Sequence, residues 1–210
     1  MIRLFVRYVT VLAVICTVAA ATLATVFEVT KSPIAASRAA VVQRAIQTVL
    51  PEFDRVVDAA QAKAVLDPGQ PEMYPAYLNG SLVGAAVKVT DRGGYGGDVT
   101  LMVGVRPDGT VHAIRVLAHK ETPGLGSKMG EEKFAGQFRG LTPPEQGVGV
   151  KKDGGAIQAI TGATISSRCV TRAVNAAVKA MRESAPRLAA PPGDPAPPPA
   201  PATAEGGVRG

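Results

Sequence analysis

The sequence predicts an α+β fold, in which a mostly antiparallel sheet with flanking helices follows one transmembrane helix. Asn79-Gly80 and Pro107-Asp108-Gly109 each separate two strand-like segments, as the turns of β-hairpins do. The segment that begins at Thr164 repeats apolar side chains at helical spacing. An uncharged apolar run from Tyr8 to Phe27 precedes all of these features.

Composition divides the chain into three parts. Of its 17 prolines, eight follow Ala185, and this Pro/Ala/Gly-rich end has too few large side chains to offset the entropy of ordering. We therefore assign residues 1–29 to an N-terminal anchor, 30–184 to a folded domain and 185–210 to a disordered tail.

The apolar run near the N-terminus is long enough to cross a bilayer. From Tyr8 to Phe27 there are 20 residues without a charge, and a helix of that length covers about 30 Å. A cleaved signal peptide is the alternative, although its apolar region is usually only ~7–15 residues long. Arg3 and Arg7 favour an N-terminus inside the cell. In a bacterium this topology means a single-pass inner-membrane protein with a periplasmic domain.

Two helices are predicted between the anchor and the sheet. Ser32-Pro33 is a typical helix start, because Ser caps the backbone and Pro suits the first helical position. This helix is expected to end near Leu50, and a second, shorter one is expected over 52–65.

Four strands follow, and the two turns pair them as hairpins. Their predicted ranges are 74–78, 82–89, 98–106 and 110–118. The run Gly93-Gly94-Tyr95-Gly96-Gly97 lies between the hairpins. Such dense glycine permits either a loose connection or a close approach of the backbone to a ligand, and the loose connection is the favoured interpretation.

The remainder of the domain is predicted to be mainly helical. A short helix is expected over 127–138, and one or two short strands are expected between Val148 and Ile160. The last helix runs from about Thr164 to before Pro186. Its apolar face is expected to pack on the sheet, while Arg172, Lys179 and Arg182 face water.

Several functional classes do not fit this composition. The chain has a net charge of +6, but its basic and acidic side chains are interspersed, and no basic run is longer than Lys151-Lys152. A nucleic-acid-binding groove is therefore not indicated. The two histidines are far from each other and from both cysteines, which argues against a metal site. Cys16 lies in the apolar run and Cys169 in the last helix, so no mutual disulfide is expected.

A first candidate motif is Glu121-Thr122-Pro123-Gly124-Leu125-Gly126, which lies directly after a predicted strand. Pro restricts one backbone angle, the glycines permit unusual ones, and Glu121 and Thr122 add polar groups to a rigid turn. On local chemistry alone, a capping turn remains the favoured interpretation.

A second candidate motif is Thr161-Gly162-Ala163-Thr164, followed by Ile165-Ser166-Ser167, at the start of the last helix. N-capping explains any one of these hydroxyls, but not four of them in seven residues. The free N–H groups and partial positive charge of a helix N-terminus suit an anion such as a phosphodiester. No His or carboxylate lies beside Thr164 to activate it, so no catalytic residue is predicted and another protein must perform any modification.

Together these features resemble a known family. The stretch from Gly93 to Ala173 is similar to the G subunit of the Rnf ion-translocating electron-transport complex, and less closely to the C subunit of the Na⁺-translocating NADH:quinone reductase. The resemblance rests on the Gly-Tyr-Gly-Gly run, the hairpin after it, His119 to Gly126, and Thr161 to Arg168. It covers about half the chain, and a single transmembrane helix before the domain is also the family's layout.

The resemblance implies a flavin site. In this family FMN is joined through its phosphate to the last threonine of the motif formed here by Thr161, Gly162, Ala163 and Thr164. That threonine corresponds to Thr164, and a separate flavin transferase performs the reaction. The flavin ring lies against the turn that corresponds to Glu121, Thr122, Gly124 and Leu125. Lys151, Lys152 or Arg168 are candidates to screen the phosphodiester, although a surface role is favoured for each.

The resemblance further implies a membrane-anchored electron carrier without independent catalysis, working with the other subunits of an electron-transport complex and with membrane lipid. One departure concerns Gln158, an amide at a position where the family often has an acidic residue. The alternatives are a flavin carrier like the C subunit of the quinone reductase and a flavin-free anchored scaffold or binding module.

Overall fold

A computed structural model describes residues 2–189 and divides the chain into two compact units, 1–44 and 45–210. The first unit is helical. The second contains a five-stranded antiparallel sheet with the strand order β1-β2-β3-β4-β5, covered by a long C-terminal helix. This arrangement confirms the predicted α+β class.

The N-terminal helix α1 spans Ile2–Val49 and contains Pro33. The predicted helix start at Ser32-Pro33 is therefore wrong. Proline removes one helical hydrogen bond, but the helix continues through it, and the alanine-rich sequence that follows favours a helix. As a result, residues 30–44 of the predicted domain lie in the first unit.

Helix α1 is long and apolar enough to cross a membrane, with a mean hydropathy of 2.3 in its candidate span. Its threonines satisfy their hydroxyls within the helix by donating to the carbonyl four residues earlier, at 2.8–2.9 Å for Thr10, Thr17, Thr22 and Thr25. This back-bonding lets polar side chains occupy an apolar helix without unpaired donors.

The two predicted hairpins are present. Strands β2 (Glu72–Leu78) and β3 (Ser81–Asp91) meet at Asn79 and Gly80, whose φ angles of 52° and 77° are those of a tight hairpin turn. Strands β4 (Val99–Val105) and β5 (Val111–Ala118) form the second hairpin. Val87 pairs with Val103, so that β3 joins the two hairpins side by side.

Two shorter elements replace the helix predicted over 52–65, which is wrong. Strand β1 (Arg55–Val56) pairs with the edge of β2, and α2 covers only Ala59–Ala62. Asp58 caps α2 by accepting from the backbone N–H of Ala60 at 2.8 Å. Pairing with the open edge of β2 thus outweighs the local preference for a helix.

The segments after the sheet are more fragmented than predicted. The helix expected over 127–138 consists of two 3₁₀ turns (Gly126–Gly130 and Gly136–Phe138) on either side of α3 (Glu132–Ala135). Between Val148 and Ile160, a single bridge between Val150 and Ile157 replaces regular strands.

The last helix, α4 (Thr164–Ser184), packs its apolar face on β3 and β4 as predicted. Val170, Val174 and Ala177 are fully buried. Arg172 and Lys179 are exposed as predicted, and Arg182 is half-buried. Two of these side chains also make contacts within the domain. Arg172 binds Asp91, and Arg182 donates to the carbonyl of Pro143 at 2.5 Å.

The chain after α4 continues to pack on the domain for a few residues. Leu188 is fully buried, and its carbonyl accepts a hydrogen bond from the Tyr77 hydroxyl at 3.0 Å. The rest of the predicted tail, from residue 190, lies outside the described residues.

Candidate functional site

The two motifs found in the sequence lie side by side. A Cβ atom added to Gly162 would lie 3.3 Å from Leu125 Cδ2, so the turn after β5 contacts the turn before α4. Between them is an open cleft of about 590 Å³. Six of the eight predicted site residues line it: Glu121, Thr122, Leu125, Gly162, Ala163 and Thr164. Gly124 lies in the same turn, while Thr161 lines the neighbouring cleft with Gln158.

Volume alone does not distinguish this cleft, because three others in the described residues have volumes of 510 to 540 Å³. Its apolar rim does distinguish it. In the described part of the second unit four large apolar side chains are exposed, namely Val65, Tyr95, Leu125 and Ile165. The last three line this cleft, with exposed fractions of 73%, 43% and 47%. Clustered exposed apolar groups around a concave polar site are typical of ligand binding.

The turn after β5 is rigid because hydrogen bonds between its own residues close it. The carbonyl of Thr122 accepts from the N–H groups of Leu125 at 3.2 Å and Ser127 at 3.3 Å. Gly124 has a φ of +77°, a conformation that side chains disfavour, and its N–H donates to Ser127 Oγ at 2.9 Å. This turn therefore presents Leu125 and Thr122 to the cleft at fixed positions.

Glu121 is buried, with 6% of its surface exposed, yet it belongs to the cleft wall. Its Oε1 accepts from the backbone N–H of Tyr95 at 2.8 Å and of Gly96 at 3.3 Å. Charge-assisted bonds of this kind compensate the carboxylate for lost water. Glu121 thereby joins the turn after β5 to the glycine-rich run.

The glycine-rich run is closely packed, so the loose connection favoured on sequence grounds is wrong. A Cβ atom on Gly96 would lie 2.0 Å from the carbonyl oxygen of Lys120, and one on Gly94 would lie 2.4 Å from that of Gly97. Only glycine permits backbones to approach this closely. The run holds Tyr95 at the cleft.

A second anchor of this run, not identified from the sequence, is Asp91 at the end of β3. Asp91 accepts two hydrogen bonds from Arg172, at 2.7 and 3.0 Å, and others from Gly93 N–H at 2.8 Å and Cys169 Sγ at 3.1 Å. The hydrogen bonds from Arg172 are the main cause that lowers the pKa of Asp91. Burial raises the pKa of Cys169 to about 12, so this thiol remains protonated.

The depressed pKa of Asp91 predicts acid sensitivity. Because the folded-state pKa lies below the ordinary value of 3.8, the pair stabilises the fold above that pH and loses its contribution as pH falls through the folded pKa. We expect Arg172→Gln to lower the free energy of unfolding at pH 7 and to reduce the further loss as the pH falls below 3.8. Denaturant titrations of the detergent-solubilised chain at these pH values measure both effects.

Lys179→Gln is the matched control, because Lys179 lies on the same helix and its side chain is 77% exposed. It should leave the pH dependence unchanged. An equal pH dependence in Arg172→Gln and the unmodified protein would show that the pair does not contribute.

The second turn leads into α4 without a side-chain cap. Its N-cap is Ala163, which has no polar side chain to accept from the free backbone N–H groups of the first turn. Ser167 Oγ instead donates to the carbonyl of Ala163 at 2.9 Å and accepts from Ile160 N–H at 3.0 Å. N-capping therefore does not account for the hydroxyls of this motif. Within the described residues, the Oγ of Ser166 is a buried polar atom that has no partner.

Thr164 is half-buried and is the first residue of α4. Its Oγ1 accepts a hydrogen bond from Lys152 Nζ at 3.3 Å. Arg168 is bound to Asp153, and Lys151 does not line the cleft. Of the three basic residues considered from the sequence, Lys152 is thus the one whose charge reaches Thr164.

Gln158 does not line the cleft that contains Thr164, and its backbone is hydrogen-bonded to the side-chain amide of Gln137. Its N–H donates to Gln137 Oε1 at 2.7 Å, and its carbonyl accepts from Gln137 Nε2 at 3.2 Å. The side chain is exposed in the neighbouring cleft, which Lys128 and Glu131 also line. Among residues 2–189 there is no cluster of three or more metal-ligating side chains.

Comparison with known proteins identifies the domain that contains this cleft. The FMN-binding domain matches residues 94–179, which include both turns. The chain is 34% identical over 173 residues to the G subunit of the proton-translocating ferredoxin:NAD(+) oxidoreductase complex of Clostridium ljungdahlii, covering 80% of this chain and 86% of that protein.

Two further relatives match more closely over a shorter length. The G subunit of the ion-translocating oxidoreductase complex of Aliivibrio fischeri is 41% identical over 50% of this chain and 53% of its own length. The G subunit of the Na(+)-translocating ferredoxin:NAD(+) oxidoreductase complex of Acetobacterium woodii is 40% identical over 51% and 54%, respectively. The chain thus spans about half the length of these two relatives.

Among solved structures, one to which the chain is similar is the C subunit of the Na(+)-translocating NADH-quinone reductase of Parabacteroides distasonis. It has a TM-score of 0.45 and 22% identity, and the match covers 59% of this chain and 65% of that one.

The fold and the cleft therefore define a protein with an FMN-binding domain that follows an apolar N-terminal helix. More particularly, the chain belongs to the G-subunit family of the ion-translocating oxidoreductase complexes, as the match to most of the Clostridium ljungdahlii protein shows.

Proposed function

We propose that this chain is a membrane-anchored electron carrier of an ion-translocating oxidoreductase complex, with FMN attached through its phosphate to Thr164. The observation that carries the proposal is the cleft between the two turns. It brings together Thr164 at a helix N-terminus and an apolar rim formed by Tyr95, Leu125 and Ile165. FMN requires both parts, since it has an anionic phosphate at one end and an aromatic ring at the other.

The residues of the cleft fit this cofactor. Leu125, Tyr95 and Ile165 offer apolar surface to the ring, and the turn that contains Thr122 and Gly124 offers polar backbone beside it. The unpartnered hydroxyl of Ser166 is available to a bound ligand. FMN, once bound, supplies the one- and two-electron chemistry, and the protein's part is to position it and adjust its potential.

The surroundings of Thr164 agree with attachment by a separate flavin transferase. Its hydroxyl contacts an ammonium group, which is a donor, and within residues 2–189 no carboxylate or imidazole accepts its proton. The chain thus supplies the hydroxyl to which the flavin phosphate would be attached, but not the base that would activate that hydroxyl. We therefore assign the activating base to the transferase.

The family supports the proposed partners. The relatives from Clostridium ljungdahlii and Acetobacterium woodii are subunits of ion-translocating complexes. We infer that the partners here are the other subunits of such a complex, together with membrane lipid around α1. With Arg3 and Arg7 inside, the FMN-binding domain lies in the periplasm of a bacterium.

Denaturing electrophoresis tests this proposal directly. Full-length protein co-expressed with a flavin transferase should give a band that fluoresces under ultraviolet light. The purified protein should absorb at about 450 nm and bleach reversibly on reduction. A dark band from a colourless protein would instead favour the flavin-free anchored scaffold.

A further inference from the structure

The wall of the cleft contains a small unfilled space at Gly126. This residue is buried at the start of the 3₁₀ turn Gly126–Gly130. A Cβ atom on Gly126 would lie 2.5 Å from Glu121 Oε2 and 2.7 Å from Ser166 Oγ, so both oxygens face the same space. Gly126 does not have the positive φ that favours glycine. Its lack of a side chain is therefore explained by the room that it leaves between these two polar groups.

Neither of the two oxygens has a hydrogen-bond partner among residues 2–189. Ser166 has 1% of its surface exposed, and its Oγ is buried without a partner. Glu121 accepts from Tyr95 and Gly96 through Oε1 alone, so Oε2 is unused. A buried hydroxyl without a partner costs free energy, and such a group in a native protein calls for a reason. Binding of a polar ligand supplies one, because a hydroxyl both donates and accepts whereas a carboxylate accepts.

The exposed residues next to this space are apolar. Leu125 directly precedes Gly126, and Ile165 directly precedes Ser166. The cleft thus combines its apolar rim with a buried polar recess, which consists of Glu121, Gly126 and Ser166. A ligand that fills both must have an apolar part and hydroxyl or similar polar groups beside it.

The place of the recess along α4 indicates which part of FMN it meets. Ser166 follows Thr164 by two residues, which is about 3 Å along a helix. In FMN the ribityl chain connects the phosphate to the ring, so this chain of hydroxyl-bearing carbons lies next to the point of attachment. Its hydroxyls are able to donate to Glu121 and to accept from Ser166, while the apolar rim suits the ring.

We propose that Glu121 Oε2 and Ser166 Oγ, on either side of the space at Gly126, bind the hydroxyls of the ribityl chain. This inference rests on the proposed function and assigns the sugar-alcohol part of the cofactor. One ribityl hydroxyl donates to the carboxylate, and another accepts from Ser166. The serine hydroxyl turns toward the ligand by rotation about its Cα–Cβ bond, between staggered positions. The recess thereby holds the ring against the apolar rim.

The recess can be tested by comparing riboflavin with lumiflavin, which has the same ring but carries a methyl group in place of the ribityl chain. The parent is full-length Thr164→Val protein in detergent, which carries no attached FMN, and fluorescence titration gives the dissociation constants. We expect the parent to bind riboflavin at least about tenfold more tightly than lumiflavin. Adding Ser166→Ala should weaken riboflavin binding about three- to tenfold, as expected for one lost hydrogen bond, and leave lumiflavin unchanged.

Filling the space tests the recess independently of Ser166. Gly126→Ala in the same parent should remove the preference for riboflavin, because the new methyl group occupies the room between the two oxygens. Gly130→Ala is the control from the same turn, since its methyl group would meet Val116 only at 3.9 Å or more. It should leave both affinities unchanged.

The stability of the flavin-free parent separates ligand binding from a structural role of Ser166. The neighbouring Ser167 is equally buried, but its Oγ has two partners, Ala163 and Ile160. Adding Ser167→Ala should lower the melting temperature by about 2–12 °C, because it leaves a buried N–H group without its acceptor. Adding Ser166→Ala should not lower it, because no hydrogen bond is lost.

Three results would overturn the recess. The first is equal affinity of the parent for riboflavin and lumiflavin, including no detectable binding of either. The second is an equal loss for both ligands in Ser166→Ala, which would place Ser166 against the ring. The third is a fall in melting temperature in Ser166→Ala as large as that in Ser167→Ala.

Each of these results is distinct from failure of the proposed function, which is judged by covalent fluorescence of the chain with Thr164 intact. A fluorescent wild-type band, combined with equal binding of riboflavin and lumiflavin by the parent, would retain the electron carrier and reject the recess. A dark wild-type band would reject the proposed function itself.

Discussion

Thr164→Val should abolish covalent flavin fluorescence while leaving the fold intact. Valine matches the shape of threonine but lacks the hydroxyl that would form the phosphodiester. Thr164 is half-buried at the first position of α4, and its hydroxyl contacts only Lys152 among the residues whose contacts the structure describes. We therefore expect the free energy of unfolding to change by no more than about 0.5 kcal/mol. The measurements are in-gel fluorescence and intact mass after co-expression with the transferase.

Thr161→Val is the control for this variant. Thr161 belongs to the same motif but is exposed and lines the neighbouring cleft. Since one hydroxyl carries the flavin, the Thr161→Val band should remain fluorescent. A fluorescent Thr164→Val band would move the attachment to another residue and contradict the assignment.

Features encoded by neighbouring residues were predictable from the sequence. Asn79-Gly80 identified the first hairpin, because positive φ at two successive residues has a strong sequence preference. The apolar periodicity of α4 identified the face that packs on the sheet. Both motifs were found for the same reason, since each is a short turn directly before or within a helix start.

Features that depend on distant residues were not predictable in this way. Asp91 and Arg172 are 81 positions apart, and Tyr77 and Leu188 are 111 apart, so no local pattern connects them. The glycine-rich run could not be distinguished from a loose connection, because the backbone that it closely contacts, at Lys120, lies on another segment. A weak signal did exist for Asp91, since a carboxylate two residues before Gly93 can accept from that residue's backbone N–H in a turn.

The contact between the glycine-rich run and the turn after β5 predicts the largest effect on stability. In Gly96→Ala the new methyl group would lie 2.0 Å from the carbonyl oxygen of Lys120, so one backbone segment must move. Overpacking of this kind costs about 1–3 kcal/mol. The movement also withdraws the N–H groups of Tyr95 and Gly96 from Glu121, whose buried carboxylate then loses its donors.

We therefore expect Gly96→Ala to lower the melting temperature by about 2–12 °C, since each kcal/mol corresponds to ~2–4 °C in a domain of this size. Covalent flavin should decrease in parallel, because Tyr95 and Glu121 both line the cleft. Gly130→Ala is the matched control, as its methyl group would meet the side chain of Val116 at ordinary distances of 3.9 Å to Cγ2 and 4.0 Å to Cβ. Calorimetry and in-gel fluorescence of the two variants separate the outcomes. Equal melting temperatures would show that the run is loose after all, whereas a destabilised Gly96→Ala protein with full flavin would show that Glu121 and Tyr95 do not shape the site.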